Sequence, residues 1–132
     1  MPHRKQPGSA FDWLARAQGD LAIASATLPE GAFLEDLCFH AQQAAEKALK
    51  AISIHHDIPF LYTHDLDKLT TDLKHSGIEI PPAVEEATIL TTFAWEARYP
   101  GTGEPVTQDE YKEAVAMAGT VVEWAVSALK NN

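Results

Sequence analysis

Apolar residues recur along this chain at spacings of three and four, which is the pattern of α-helices that bury one face. The pattern predicts five helices and no strand. The first helix is predicted to begin after Ser9, with Asp12 three residues later to complete an N-terminal cap, and to end at "PEG" (29–31). The second runs from about Phe33 to His55 and is the long one.

Three further helices are predicted in the second half of the chain. The third is short and extends from a cap at Thr63 to Gly77. The fourth is predicted to run from "PPAVEE" to "RYPG", because Pro100 cannot continue a helix. The fifth opens with Thr107 and Glu110, which fit a capping box. Four long helices and one short helix with short connections predict an all-α, up-and-down antiparallel bundle.

The length of 132 residues suits one domain, which we expect to comprise residues 9–130. Residues 1–8, "MPHRKQPG", are predicted to form a disordered arm. The single Cys38 cannot form an internal disulfide, and neither a secretory signal nor a membrane span is visible. We therefore expect a cytoplasmic protein without a membrane partner.

The net charge of −9, from nineteen acidic and ten basic residues, limits the class of partner. Nonspecific nucleic-acid binding depends on lysines and arginines that neutralise phosphates. The charge therefore argues against a broad nucleic-acid surface, although it leaves room for a small nucleotide or RNA site.

The second helix has two contrasting faces. One is smooth with alanine, which lets a neighbouring helix approach closely, and is predicted to be core: Ala41, Ala44, Ala45, Ala48 and Ala51. The other aligns Phe39, Gln43, Glu46 and Lys50 at i, i+4, i+7 and i+11. A solvated face with a Glu46–Lys50 ion pair explains this row. An aromatic residue within it favours a polar-rimmed dimer contact.

The fifth helix has an apolar arc wider than one neighbouring helix requires. Met117, Val121 and Trp124 flank its main stripe. Burial on two sides within the bundle explains this width, and so does a subunit or partner interface. Both explanations remain open at the level of sequence.

Two polar residues are candidates for chemistry. Arg98 falls on the inward side of the fourth helix, where it needs Glu46, Asp65 or the last helix carbonyls as an acceptor, or else a ligand phosphate. In the second case Tyr99 would lie at the lip of the site. His64 could act as an acid or base near neutral pH, although simple capping also explains the "THDL" segment.

The sequence shows no pattern typical of a metal or cofactor site. The six histidines include no i,i+4 pair, and a second cysteine is missing. A glycine-rich phosphate loop is also missing. We expect no bound metal and no required cofactor, with a bound nucleotide as an option.

Three blocks together resemble the HEPN domain (higher eukaryotes and prokaryotes nucleotide-binding). They are "FHAQQAAEKALKAI" (39–52), "THDLDKL" (63–69) and "ARYPG" (97–101), followed by the capped last helix. The resemblance covers about residues 9 to 130. It implies a helical bundle that usually forms a homodimer and is often paired with a small nucleotidyltransferase, as in toxin–antitoxin systems.

The resemblance also bears on catalysis, because many HEPN proteins are metal-independent endoribonucleases that use an arginine and a histidine separated by four to six residues. Arg98 matches that arginine. The histidine should fall at positions 103–105, which are Gly103, Glu104 and Pro105, and no histidine follows His75. The chain is therefore more similar to the "RYP" branch of the family, which does not look catalytic.

In that branch the resemblance implies a nucleotide site at Arg98 and Tyr99. Lys47, on the flank of the second helix, is added from its position alone. The alternative is an endoribonuclease toxin acting on RNA, in which His64 replaces the missing base and Arg98 holds the phosphate.

Overall fold

The computed structural model describes residues 6–60, 63–94 and 105–130. These ranges contain helices and no strand, which confirms the all-α bundle. The elements in chain order are α1 (Ala10–Ala24), α2 (Leu34–His55), α3 (Leu66–His75), α4 (Pro82–Glu86), a 3₁₀ helix (Ala87–Phe93) and α5 (Gln108–Lys130). None of the helices described is both long and apolar enough to cross a membrane.

Two predicted helix starts are confirmed by their hydrogen bonds. The hydroxyl of Ser9 accepts from the Asp12 amide at 3.1 Å, and the Asp12 carboxylate accepts from the Gly8 amide at 3.0 Å. At α5 the Thr107 hydroxyl accepts from the Glu110 amide at 3.1 Å, while the Glu110 carboxylate accepts from the Thr107 amide at 2.9 Å. Side chains therefore satisfy amides that a helix start leaves without intrahelical partners.

Two other boundaries differ from the prediction. Helix α1 ends at Ala24, so Leu28 lies outside it. Pro29 disfavours a helical conformation at the residue before it, which is consistent with this early end. The cap of α3 is Asp65, whose carboxylate accepts from the Asp67 amide at 3.0 Å, whereas Thr63 accepts from the Asp65 amide one step earlier.

The predicted fourth long helix is segmented in the part of the chain that the structure describes. The α-helical portion ends at Glu86, and residues 87–93, "ATILTTF", form the 3₁₀ helix. Four of these seven residues are β-branched, which lowers the preference for a regular α-helix. The Thr91 hydroxyl accepts from the Leu66 amide at 3.0 Å and attaches this segment to the start of α3. The predicted end of the fourth helix, with Arg98, lies outside the described residues.

Helix α2 is the centre of the bundle. It packs most extensively against α1 and α5, and it also contacts α3 and the 3₁₀ helix. The predicted alanine face is confirmed as core, since each member is fully buried: Ala41, Ala44, Ala45, Ala48 and Ala51. Short side chains let the neighbouring backbones approach closely.

The wide apolar arc of α5 is largely accounted for within one chain. Val121 is buried in the core, while Met117 and Trp124 are half-buried against it. Val121 therefore offers no side-chain surface to a subunit contact. An interface role for Met117 and Trp124 stays a prediction.

Candidate functional site

Polar side chains of α2 form the candidate site, and they lie inside the bundle. The exposed fractions are 0% for Gln42, 3% for Glu46 and 1% for Lys50. The prediction that Glu46 and Lys50 lie on an outer polar face is therefore wrong. Their arc borders the alanine face, and segments distant in sequence cover it.

The carboxylate of Glu46 is the centre of a hydrogen-bonded group. Its Oε2 accepts from Lys50 Nζ at 2.8 Å, and its Oε1 accepts from Gln42 Nε2 at 3.0 Å and from Gln43 Nε2 at 3.3 Å. His64 Nδ1 lies 3.0 Å from the same Oε1. We refer to Gln42, Gln43, Glu46, Lys50 and His64 as the Glu46 network. Four of its members lie on α2 and one just before α3, so it joins the first two sequence blocks.

Opposing effects act on the pKa of Glu46. Burial raises the pKa, whereas hydrogen bonds from Lys50, Gln42 and His64 lower it, and the result lies below the usual value of 4.5. Glu46 is therefore ionised at neutral pH. Its negative charge is balanced by Lys50 inside the protein, where an unbalanced charge would be costly.

Aromatic rings surround the ammonium group of Lys50. Its Nζ lies 5.6 Å from the ring centroid of Trp13 and 5.4 Å from that of Phe60. The two rings pack edge to face, with centroids 6.5 Å apart. The cation is attracted to the electron-rich ring faces, so Lys50 connects α1 to the segment that follows α2.

A second polar group joins α1 to α2. The carboxylate of Asp20, which is 8% exposed, accepts from Lys47 Nζ at 2.7 Å and lies 2.9 Å from His40 Nδ1. Sequence reasoning missed Asp20, although a signal existed. Asp20 falls three residues after Ala17 and four before Ala24, two inward positions of α1, so an acid there requires a polar partner.

The predicted site residues are only partly brought together. Gln43, Glu46, Lys50 and His64 belong to one network, whereas Phe39 remains on the surface with its ring edge to face with His40. The ammonium of Lys47 contacts Asp20, so a phosphate contact by Lys47 would compete with this ion pair.

Two predictions cannot be placed in this geometry. Arg98 and Tyr99 lie outside the described residues, and their nucleotide site stays a prediction. Two acceptors considered for Arg98 already have other bonds: Glu46 has its network donors, and Asp65 caps α3.

The His64–Glu46 contact has the geometry of an oriented acid–base group. Because an ionised carboxylate can only accept, the ring proton on Nδ1 must point at Glu46. The side chain of His64 is 50% exposed, so part of the ring faces solvent. A carboxylate that orients an imidazole in this way is a common arrangement for proton transfer.

The described residues were also compared with the requirements of a metal-binding site. Across residues 6–60, 63–94 and 105–130, no group of three or more histidine, cysteine, aspartate or glutamate side chains is placed to hold a metal ion.

Comparisons with known proteins agree with this architecture. The family model for the HEPN domain matches residues 10–129. The crystal structure of TT1696 from Thermus thermophilus aligns with a TM-score of 0.77 and 29% sequence identity. The alignment covers 90% of this chain and 97% of that one. A search of curated proteins finds no match.

Proposed function

This chain belongs to the HEPN domain family, and from that premise we propose that it is a non-catalytic binding module. It forms a homodimer in the cytoplasm, docks a small nucleotidyltransferase as part of a toxin–antitoxin-like system, and holds a nucleotide at Arg98 and Tyr99. No metal or cofactor is required for this role.

The observation that carries the proposal is the missing histidine. In the family ribonucleases four to six residues separate the arginine from the imidazole, and at the corresponding positions this chain has Gly103, Glu104 and Pro105. A carboxylate at Glu104 would repel the phosphate that Arg98 attracts. The arginine is therefore retained without the group that would complete cleavage.

The electrostatics of the described residues support a role other than RNA binding. Lys50 pairs with Glu46 within α2, and Lys47 pairs with Asp20 of α1, so both lysines of α2 are engaged in ion pairs inside the chain. Three exposed or half-exposed cations also pair with carboxylates within the chain: Arg16, Lys68 and Lys74. With a net charge of −9, the protein offers little attraction for a polyanion.

Titration calorimetry with ATP, GTP and UTP tests nucleotide binding. We expect one of the three nucleotides to bind. Arg98→Ala should lower its affinity about tenfold to a hundredfold, because a bidentate guanidinium–phosphate contact is lost. Arg16→Ala is the matched control, because it removes another arginine, and the ion pair that it breaks, with Asp12, lies within α1. Absence of binding by all three, or equal affinity in Arg98→Ala, would remove the nucleotide part of the proposal.

Co-expression tests the docking part. The nucleotidyltransferase is to be taken from a reading frame adjacent to the gene and produced together with this chain. Joint elution from a sizing column supports the proposal, and separate elution of the two folded proteins contradicts it.

The second candidate function is a metal-independent ribonuclease, and the His64–Glu46 contact is the observation that favours it. The Nδ1–Oε1 distance of 3.0 Å and the half-exposed ring give His64 the geometry of a displaced base. The family relationship provides the reaction class, and Arg98 would bind the scissile phosphate.

Incubation of purified protein with several RNAs in EDTA distinguishes the two functions. Under the main proposal the RNA stays intact with wild type and with His64→Ala. Cleavage by wild type that is lost in His64→Ala but retained in His75→Ala would establish the ribonuclease instead. His75 is a suitable control because it is an exposed histidine at the end of α3.

A further inference from the structure

A surface groove lies between the 3₁₀ helix and α5. Its volume is about 190 Å³, and its lining is largely apolar. Ile89 and Phe93 contribute from the 3₁₀ helix, and Ala114 and Met117 contribute from α5. None of the lining residues that the structure describes belongs to the Glu46 network.

The 3₁₀ geometry explains why an isoleucine faces solvent at the edge of this groove. With three residues per turn, positions 87, 90 and 93 fall on one side, and all three are buried. Ile89 is then turned outward and is 64% exposed. The bond between the Thr91 hydroxyl and the Leu66 amide holds this segment in place.

The apolar face of α5 continues along the helix beyond the groove. Met117 and Trp124 are seven residues apart, which places them on the same face about 10 Å from each other along the axis. Both are half-buried. An apolar strip of that length matches two turns of a docked helix better than a small ligand.

Charge indicates the kind of helix. Glu110 and Glu113 also line the groove, one turn apart on α5, and both are exposed. Two copies of this chain joined groove to groove would bring these carboxylates together from both subunits, in addition to the net charge of −9 on each. A cationic partner is therefore favoured over a second copy.

We infer that this groove is the docking site for a basic amphipathic helix of a partner protein. An apolar side chain of that helix enters between Ile89 and Met117, while its lysines or arginines face Glu110 and Glu113. The inference deepens the proposed function, because it assigns a surface to the docking of the partner.

A labelled helical peptide of about 18 residues, with leucines on one face and lysines elsewhere, provides the direct test by fluorescence anisotropy. We expect saturable binding that weakens with salt, and weaker binding of a matched peptide with glutamate for lysine. Ile89→Ser should lower the affinity for the lysine peptide about tenfold, because apolar contact is lost at the edge of the groove. Glu113→Lys should weaken it about fivefold at low salt.

Two variants serve as matched controls. Ile23→Ser changes another exposed isoleucine, on α1, outside the groove lining. Glu123→Lys makes the same charge change on α5, ten residues beyond Glu113. Both should bind the lysine peptide like wild type, and circular dichroism should show that all four variants are folded.

Any one of three peptide results would overturn the inference. The first is that the glutamate peptide binds as tightly as the lysine peptide. The second is that the control variants weaken binding as much as the groove variants, and the third is that neither peptide binds. Sedimentation showing a dimer that Ile89→Ser dissociates would also overturn it, because the occupant would then be a second copy.

The co-expressed nucleotidyltransferase separates this inference from the proposed function. If the nucleotidyltransferase elutes equally with wild type and with Ile89→Ser, the groove is not its docking site, although the proposal that it docks on this chain is supported. Failure to elute with any form refutes the docking proposal, and the peptide measurements then decide the groove alone.

Discussion

Replacing Glu46 with glutamine is expected to lower the free energy of unfolding by about 3 to 5 kcal/mol. The substitution keeps the size of the side chain but removes the charge that balances Lys50, whose Nζ lies 2.8 Å from Glu46 in the interior. The new side-chain amide has one acceptor oxygen instead of two, so its NH2 group must face either Lys50 or the donors of Gln42 and His64. Urea unfolding followed by circular dichroism measures the loss.

Two variants show whether the loss comes from the buried charge. Glu123→Gln alters an exposed glutamate of α5 and should change the stability by no more than about 0.5 kcal/mol. Adding Lys50→Met to Glu46→Gln should recover most of the loss, because an apolar side chain replaces the uncompensated cation. A loss below about 1 kcal/mol in Glu46→Gln would contradict this account of the network.

The pH dependence of the stability of wild type and of Glu46→Gln provides an independent check. The pKa of Glu46 in the folded protein lies below its usual value of 4.5, so the unfolded chain binds the proton more tightly. The contribution of Glu46 to stability is therefore present above about pH 4.5 and is lost as the pH falls through the folded pKa. The difference in stability between wild type and Glu46→Gln should shrink over that acid range. A constant difference would show that ionisation is not the cause.

Replacing Ala48 with leucine is expected to destabilise the protein by about 1 to 3 kcal/mol. Ala48 is fully buried on the face of α2 that lies in the core. Three additional carbon atoms have no space there unless a neighbouring helix moves, which would disturb the packing on α2. Chemical denaturation measures the change.

Ala22→Leu is the matched control for this substitution. Ala22 is exposed on α1, so the same enlargement should change stability by no more than about 0.5 kcal/mol. Equal stability of Ala48→Leu and Ala22→Leu would mean that close helix approach is not required at α2.

Much of the fold was predictable because its determinants are local. The helical periodicity of α1, α2 and α5, the caps at Ser9 and Thr107 and the alanine face of α2 depend on residues within a few positions of one another, and all of them are confirmed. The resemblance carried by three short blocks agrees with the family match over residues 10–129.

The candidate site was predicted less well. The sequence pattern identifies His64 and the polar residues of α2, yet it predicts that Glu46 and Lys50 lie on the surface, whereas both are buried. A helical wheel ranks positions by angle, and residues on the border of an apolar arc are buried only if another segment covers them. Here that cover comes from Trp13, Phe60 and His64, which lie before and after α2 in the chain.

Local patterns in the sequence are therefore sufficient to identify the helical class, the family, the caps at Ser9 and Thr107, and the absence of a histidine beyond Arg98. Tertiary structure alone decided that Glu46 is a buried, ionised centre, that Asp20 pairs with Lys47, and that residues 87–93 turn Ile89 outward beside α5. The two groups of features differ in the sequence distance over which their interactions act. Helix formation depends on bonds between residues four apart, whereas burial, ion pairing and groove shape depend on segments that only folding brings into contact.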